Sequence, residues 1–356
     1  MQRADCIRTQ AFGAHFLDRA FDGFAFGAEH VGECFEKGEA LLDRRGREGH
    51  VRHCHGDLHL ANICLWRGEP TLFDCLEFDA ELATIDVLYD VAFLIMDLWE
   101  RGLRAQASLV FNRYLDMTEE SGGMAALPLF LSLRAAIRAH VGATAAASQS
   151  DAAKAEAKRR GAREYLQAAL DFLDQPAARL VAVGGFSGTG KSSLAGALAP
   201  GIGGAPGARW LRTDVLRKRL AGVAPEAALP PESYTRAASD AVYARLMEDA
   251  RAALAAGRSV VVDGVFADPA ERVDVQALAQ EKKIYFNGLW LEAPFAVLRQ
   301  RVLGRSDDAS DATADVVERQ LARDPGDLSQ WRRIDASGSP EAVLELTKAA
   351  LHGGTM

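Results

Sequence analysis

The chain has 356 residues, enough for about two domains that each bury a core. Its 49% apolar and 25% charged residues are ordinary for a globular protein. With 41 basic and 49 acidic side chains the net charge is −8, which argues against an extended nucleic-acid surface and leaves room only for a local basic groove. The opening MQRADCIRTQ contains no apolar leader core, and apolar runs such as Val87 to Trp99 are too short to span a bilayer and are interrupted by Asp90 and Asp97, so no membrane partner is expected. The five cysteines (Cys6, Cys34, Cys54, Cys64 and Cys75) are irregularly spaced, as reduced thiols of a cytoplasmic protein would be.

In chain order, residues from about Ala11 to Arg45 show helical periodicity, with Phe16, Ala20, Phe24, Val31 and Phe35 at helix-like spacings. The stretch HGDLHLAN follows, from His55 to Asn62. After it, Ile63 to Trp66 and Thr71 to Asp74 are β-rich runs around Arg67-Gly68-Glu69-Pro70, which predicts a hairpin with a four-residue loop. Pairing Trp66 with Thr71 sets Ile63 opposite Asp74, and so brings Asn62 and Asp74 together with Asp57 on the incoming loop. Two carboxylates and an amide suit phosphoryl transfer: one aspartate accepts the proton of an attacking hydroxyl, while the amide and the other aspartate bind Mg²⁺ through oxygen. A zinc site from His53, Cys54, His55, His59 and Cys64 is the competing reading, but these residues lack paired ligand spacing. Residues 86 to 172 read as mainly helical. Arg134, Arg138 and His140 are assigned to a solvated face of Leu127 to Val141, and Ala143 to Arg163 to a solvent-facing helix. Asp174-Gln175-Pro176 breaks the pattern, giving expected domains of 1–175 and 176–356.

The second half alternates strand and helix, which predicts an α/β fold with a parallel sheet covered on both faces and ligands at the C-terminal strand ends. Leu180 to Leu194 reads LVAVGGFSGTGKSSL, a strand, a glycine-rich turn and the first turn of a helix. Gly185, Gly190, Lys191 and Ser192 fill the pattern G-x-x-x-x-G-K-[ST]. Residues Gly185, Phe186, Ser187, Gly188, Thr189, Gly190, Lys191, Ser192 and Ser193 are therefore expected to wrap the phosphates of ATP. Lys191 would reach the β- and γ-phosphates, and Ser192 would hold Mg²⁺. Asp263 ends the apolar run SVVVD as a Walker-B-type metal carboxylate would. Asp214 and Arg217 follow the second strand, where Thr213 or Asp214 could instead simply cap the helix. Arg299, Arg301 and Arg305 precede an acidic loop that contains Asp307, Asp308 and Asp311.

His55-Gly56-Asp57 through Asn62, followed by Asp74, resembles the catalytic loop and metal-binding pair of protein-kinase-like enzymes, in the aminoglycoside and choline phosphotransferase branch. That resemblance implies Asp57 as catalytic base, Asn62 and Asp74 as metal ligands, and Asp90 as an anchor of the loop. About 55 residues precede the loop, with no G-x-G-x-x-G and no strand lysine, so this half looks like a C-lobe alone. LRTDVLRKRL resembles small P-loop kinases of the gluconate, polynucleotide 5′-hydroxyl and zeta-toxin type. In these, Asp214 would be the base, Arg217 would hold acceptor, and Arg301 or Arg305 on a lid would cover the transferring phosphoryl group. The whole order resembles bacterial two-domain proteins that join an aminoglycoside-phosphotransferase-like domain to an AAA-type P-loop kinase. It implies an ATP- and Mg²⁺-dependent kinase acting on a hydroxyl of a small molecule or nucleic-acid end. Two other readings stay open: a regulatory ATP-binding module with a degenerate first domain, and a truncated bifunctional two-kinase enzyme.

Overall fold

The computed structural model describes residues 38–77, 79–304 and 310–352. Of the first expected helix, 38–47 is helical, and Phe16, Ala20, Phe24, Val31 and Phe35 lie outside the described residues. The described residues divide into two compact units, chiefly those up to Pro176 and those from Ala177 onward.

In the first unit, β1 (Val51–His53) precedes the hairpin of β2 (Ile63–Trp66) and β3 (Glu69–Leu72), and then pairs antiparallel with β4 (Thr84–Asp86). Four helices follow: α1 (Val87–Glu100), α2 (Arg104–Thr118), α3 (Leu127–Ala147) and α4 (Ala152–Leu173). The hairpin register differs from expectation. Trp66 pairs with Glu69 and Ile63 with Leu72, because Arg67 (φ 54°) and Gly68 (φ 85°) both adopt left-handed backbone and close a two-residue turn. Pro70 then faces Leu65 at a position where the ladder asks no N–H of it.

The two helical assignments also change. α3 and α4 are separate, because Asp151 accepts hydrogen bonds from Ala153 N and Lys154 N and starts a new helix inside the stretch assigned to one. Arg134 is buried rather than solvated, with its guanidinium 3.8 Å from the Tyr89 ring centroid and 4.8 Å from that of Phe93. Among the described residues Ser121–Ala147 is long and apolar enough to cross a membrane, but 67% of its most apolar window is buried inside the structure.

At the head of α1, Arg45 Nε and Nη2 reach Asp86 at 2.7 and 2.8 Å, both side chains being about 1% exposed. Asp86 also accepts from Leu88 N at 2.8 Å, so one carboxylate neutralises a buried cation and caps the helix.

In the second unit β5 (Arg179–Gly185), β6 (Arg209–Arg212), β7 (Val260–Asp263), β8 (Tyr285–Glu292) and β9 (Trp331–Asp335) form one parallel sheet in the order β6-β7-β5-β8-β9. Between and after them run α5 (Lys191–Leu198), α6 (Thr213–Leu220), α7 (Arg236–Ala255), α8 (Pro269–Lys282), α9 (Phe295–Leu303), α10 (Ala314–Leu321) and α11 (Pro340–His352). Alternate residues of the inner strands face opposite sides, so nearly continuous apolar runs are needed. Val181, Val183 and Val261 join Leu194, Leu198 and Val343 in the core of one face. This is the parallel α/β fold that the strand and helix alternation predicts. The chain runs from β5 out to the β6 edge, returns to β7 beside β5, then crosses β5 to reach β8 and β9. A crevice therefore opens at the C-terminal ends of β5 and β7.

Asp86→Ala leaves Arg45 buried and uncompensated, and is expected to lower stability by about 3–5 kcal/mol in chemical denaturation.

Candidate functional site

At that crevice lies a cavity of about 1030 Å³ lined by residues from the P-loop, β6, α6, α7, β7, α8 and α10. The P-loop glycines bend as the pattern requires: Gly185, Gly188 and Gly190 have φ of 135°, 87° and 87°. A Cβ at Gly185 would come 2.5 Å from Leu291 O, so only glycine allows β5 to turn there. Thr189 Oγ1 donates to Phe186 O at 2.8 Å, and Lys191 Nζ reaches the same carbonyl at 3.0 Å. The Phe186 ring stacks edge-on against Trp290 at 5.5 Å. Ser187, Gly188, Gly190, Lys191, Ser192 and Ser193 all line the cavity.

Asp263 sits beside the P-loop because β7 pairs in register with β5, Val183 opposite Asp263. It is 3% exposed, and its Oδ2 has no hydrogen-bond partner. Burial pushes its carboxyl up, while Lys191, Arg212 and a hydrogen bond from Ser192 pull it down. Arg212 Nε lies 3.8 Å from Oδ2. A buried carboxylate oxygen with a free lone pair next to the Ser192 hydroxyl suits a hard divalent cation completed by water and phosphate oxygens. The residues present thus fit Mg²⁺.

Asp214 lines the same cavity in the first turn of α6. The capping alternative fails, since Arg212 occupies the N-cap and no side chain caps this helix. Arg217 faces the cavity with Nη1 on Ser233 O at 2.7 Å, Nη2 on Ser239 Oγ at 3.4 Å and its charge 4.9 Å from the Tyr234 ring centroid. Tyr234 OH, Lys218 Nζ (2.9 Å) and Leu229 N (3.2 Å) all donate to Asp311, which pins the start of the segment before α10. Glu271, on the first turn of α8, also lines the cavity. Burial pushes its carboxyl up to about 7, opposed by a hydrogen bond from Tyr243.

The arginine assignment needs correction. Arg301 does not line the cavity: it donates to Ala336 O (2.8 Å), Ser337 O (3.4 Å) and Gly338 O (2.8 Å), and so ties α9 to the loop after β9. Arg305, with Asp307 and Asp308, lies outside the described residues. Arg319 and Arg323 line the cavity instead, and the sequence reading missed them. Their signal was legible in part: Val316, Arg319 and Gln320 follow i, i+3, i+4 spacing on one face of α10, Arg323 lies just past its end, and all four line the cavity. Gln320 Oε1 accepts from Ser187 N at 2.7 Å, which seats this face on the P-loop.

In the first unit Asn62 Nδ2 donates to Asp57 O (2.9 Å) and Asp57 Oδ2 (3.1 Å). Asp90 accepts from both His55 N and Gly56 N at 3.0 Å, and so anchors the HGD turn. Gly56 has φ 82° there, and a Cβ would meet Leu76 at 2.6 Å. In the observed register Ile63 pairs with Leu72 instead of Asp74; Phe73 N donates to Asn62 O at 3.1 Å, and Asp74 follows with φ 59°. Among the described residues no cluster of three or more His, Cys, Asp or Glu side chains could hold a metal, which removes the zinc alternative there.

The turn, the strand-end carboxylate and the parallel sheet define a P-loop nucleotide-binding domain. In agreement, residues 180–324 match the family model described as "AAA domain". Over 360 aligned residues the chain is 33% identical to "Uncharacterized protein Rv2004c" of Mycobacterium tuberculosis H37Rv and to its Mycobacterium bovis counterpart, covering 96% of this chain and 70% of theirs. The chain belongs to one family with these mycobacterial proteins. Among solved structures, a sugar kinase from Janibacter sp. HTCC2649 is 20% identical with a TM-score of 0.35, over 50% of this chain and 95% of that one. The Mycobacterium tuberculosis APS kinase CysC in complex with AMPPNP and APS is also 20% identical with a TM-score of 0.35, over 50% and 99%.

Glu271 holds its proton in the folded state to a higher pH than its ordinary value of 4.5. Its own contribution to stability is therefore full below about 4.5 and is lost as pH rises through 7. Glu271→Gln removes that loss, and its stability relative to wild type is expected to improve by about 1–2 kcal/mol between pH 5 and pH 8 in thermal unfolding.

Proposed function

We propose that the second unit is an ATP-dependent kinase that moves a γ-phosphoryl group onto a hydroxyl of a small molecule or a nucleic-acid 5′ end. The carrying observation is the orphaned Oδ2 of Asp263, hydrogen-bonded through its carboxylate to Ser192, in the same cavity as the P-loop and Asp214. A domain that only grips phosphate has no use for a second carboxylate, on α6, facing the same space.

In this reading the P-loop amides and Lys191 bind the β- and γ-phosphates and hold them in line with the acceptor. Ser192 and Asp263 would hold Mg²⁺, which would neutralise phosphate charge when bound. Asp214 accepts the proton of the acceptor hydroxyl as that oxygen attacks phosphorus. Arg217 orients the acceptor, and Arg319 and Arg323 face the charge that develops on the moving phosphoryl group. Free Cys54, Cys64 and Cys75 fit a reducing cytoplasm, where ATP is plentiful. For the first unit, the Asp90-anchored turn and the Asn62–Asp57 bond support the resemblance to a phosphotransferase catalytic loop, with Asp57 as base and Asn62 and Asp74 at a metal.

A metabolite-pool screen with labelled ATP is expected to yield an acceptor-dependent product. Against that product Asp214→Asn should lower kcat by about 10²–10⁴-fold with little change in nucleotide affinity. Lys191→Ala should abolish turnover, and ATP consumption unchanged in that variant would rule this site out.

A further inference from the structure

A second cavity, of about 330 Å³, is built entirely from residues of the first unit. Part of its wall is one face of α3, where Arg134, Ile137, Arg138 and Val141 follow i, i+3, i+4, i+7 spacing and all border the space. Gly56 and Asp57 of the HGD turn border it too, with Leu76 and Phe93. Two arginines four residues apart on a helix repel each other, and they do so more strongly away from water.

Arg134 is buried, and its bonds leave one nitrogen over. Nε donates to Tyr89 O at 3.2 Å and Nη1 to Gly56 O at 3.3 Å, but Nη2 makes no hydrogen bond. Its counter-charge, Asp90 Oδ1, stands 3.8 Å away and already accepts from Gly56 N, as Oδ2 does from His55 N. A buried donor left in this way is costly and asks for an acceptor. Arg138 is half-buried, and among the described residues it has no ion pair, only the Tyr165 ring centroid 5.8 Å from its guanidinium carbon. Asp57 shares the cavity without supplying the missing partner. Its Oδ2 accepts from Asn62 Nδ2 at 3.1 Å and lies 3.4 Å from His59 Nε2.

The cavity thus combines two guanidinium groups short of an acceptor, one carboxylate, and an apolar bed. We propose that it is an anion site of the first unit, in which Arg134 and Arg138 hold a carboxylate or phosphoryl group of a small molecule. The apolar body of that molecule rests on Leu76 and Phe93, and a hydroxyl on it donates to Asp57. An oxyanion between the two arginines forms charge-assisted bonds and removes the like-charge conflict on α3. The volume falls in the lower part of the range for small-molecule sites, about 300–1,000 Å³. Arg134 alone would serve as a strut between Tyr89 O and Gly56 O. Arg138 has no such task, so the test is placed on it.

The experiment is calorimetric titration of the full chain with 3-phenyllactate, phenyl phosphate and the neutral 3-phenylpropane-1,2-diol. The first carries a carboxylate, a hydroxyl and an apolar body, and the diol keeps its shape without the charge. Lys191→Ala is present throughout, to weaken uptake of the phosphate ester by the glycine-rich turn of the second unit. With Arg138 intact, at least one anion is expected to bind about tenfold or more tighter than the diol, and the tighter of the two names the group that the site takes. Arg138→Gln should remove about tenfold of that affinity, while Arg138→Lys, which keeps the charge but not the fork, should restore part of it. The proposal is overturned by equal affinity for the diol and both anions, by an anion affinity unchanged in Arg138→Gln, or by no heat with either anion at about 10 mM. None of these outcomes bears on the nucleotide reading of the second unit, which the proposal does not use.

Discussion

The parallel pairing of β7 with β5, Val183 against Asp263, is the constraint on which the rest of the second unit depends. It is a backbone registration between two strands with almost no polar side chains, secured by burial on both faces. From it follow the depth of Asp263 beside the P-loop, the reach of Ser192 to its carboxylate, and the exit through Gly264 and Val265 that touches Val183 and Gly185. A slip of one residue would turn Asp263 into the hydrophobic layer on the other face. The apolar run SVVVD therefore does two jobs, since the valines that bury the strand also aim the charge that ends it.

The features legible in the sequence are those whose physics is local. A glycine-rich turn between a β run and a helix, and a carboxylate that ends an apolar strand, each declare themselves within a dozen residues, and the structure puts both on one cavity. Asp90 also falls where its resemblance implied, under the HGD turn. The failures share a different character. Arg301 and Arg319 are both arginines on short helices near an acidic loop, and only packing against the P-loop and the β9 loop decides which one sees the cavity. The Arg134 periodicity suggested a wet face, but its helix is covered on that side by Tyr89 and Phe93 from α1, far away in sequence. The hairpin was mis-registered because Arg67 takes a left-handed conformation that its residue type gives little reason to expect.

The two units solve one local problem in different ways. Each has a sharp, glycine-bearing turn of backbone, and each needs amide N–H groups satisfied where no ladder can reach. In the first, Asp90 supplies two carboxylate oxygens from below to His55 N and Gly56 N. In the second, one turn carbonyl, Phe186 O, is met by the chain's own Thr189 and Lys191, while one N–H is met by Gln320 from a helix more than a hundred residues later. The first turn is braced by a buried carboxylate. At Ser187 the second is braced by a neutral amide.

That difference has a consequence at Ser187. Gln320 is the neighbour of Arg319 on α10, so the same bond that satisfies this N–H sets that arginine on the wall of the cavity. One contact thus fixes, across more than a hundred residues of chain, the distance between the glycine-rich turn and a cation that shares its space.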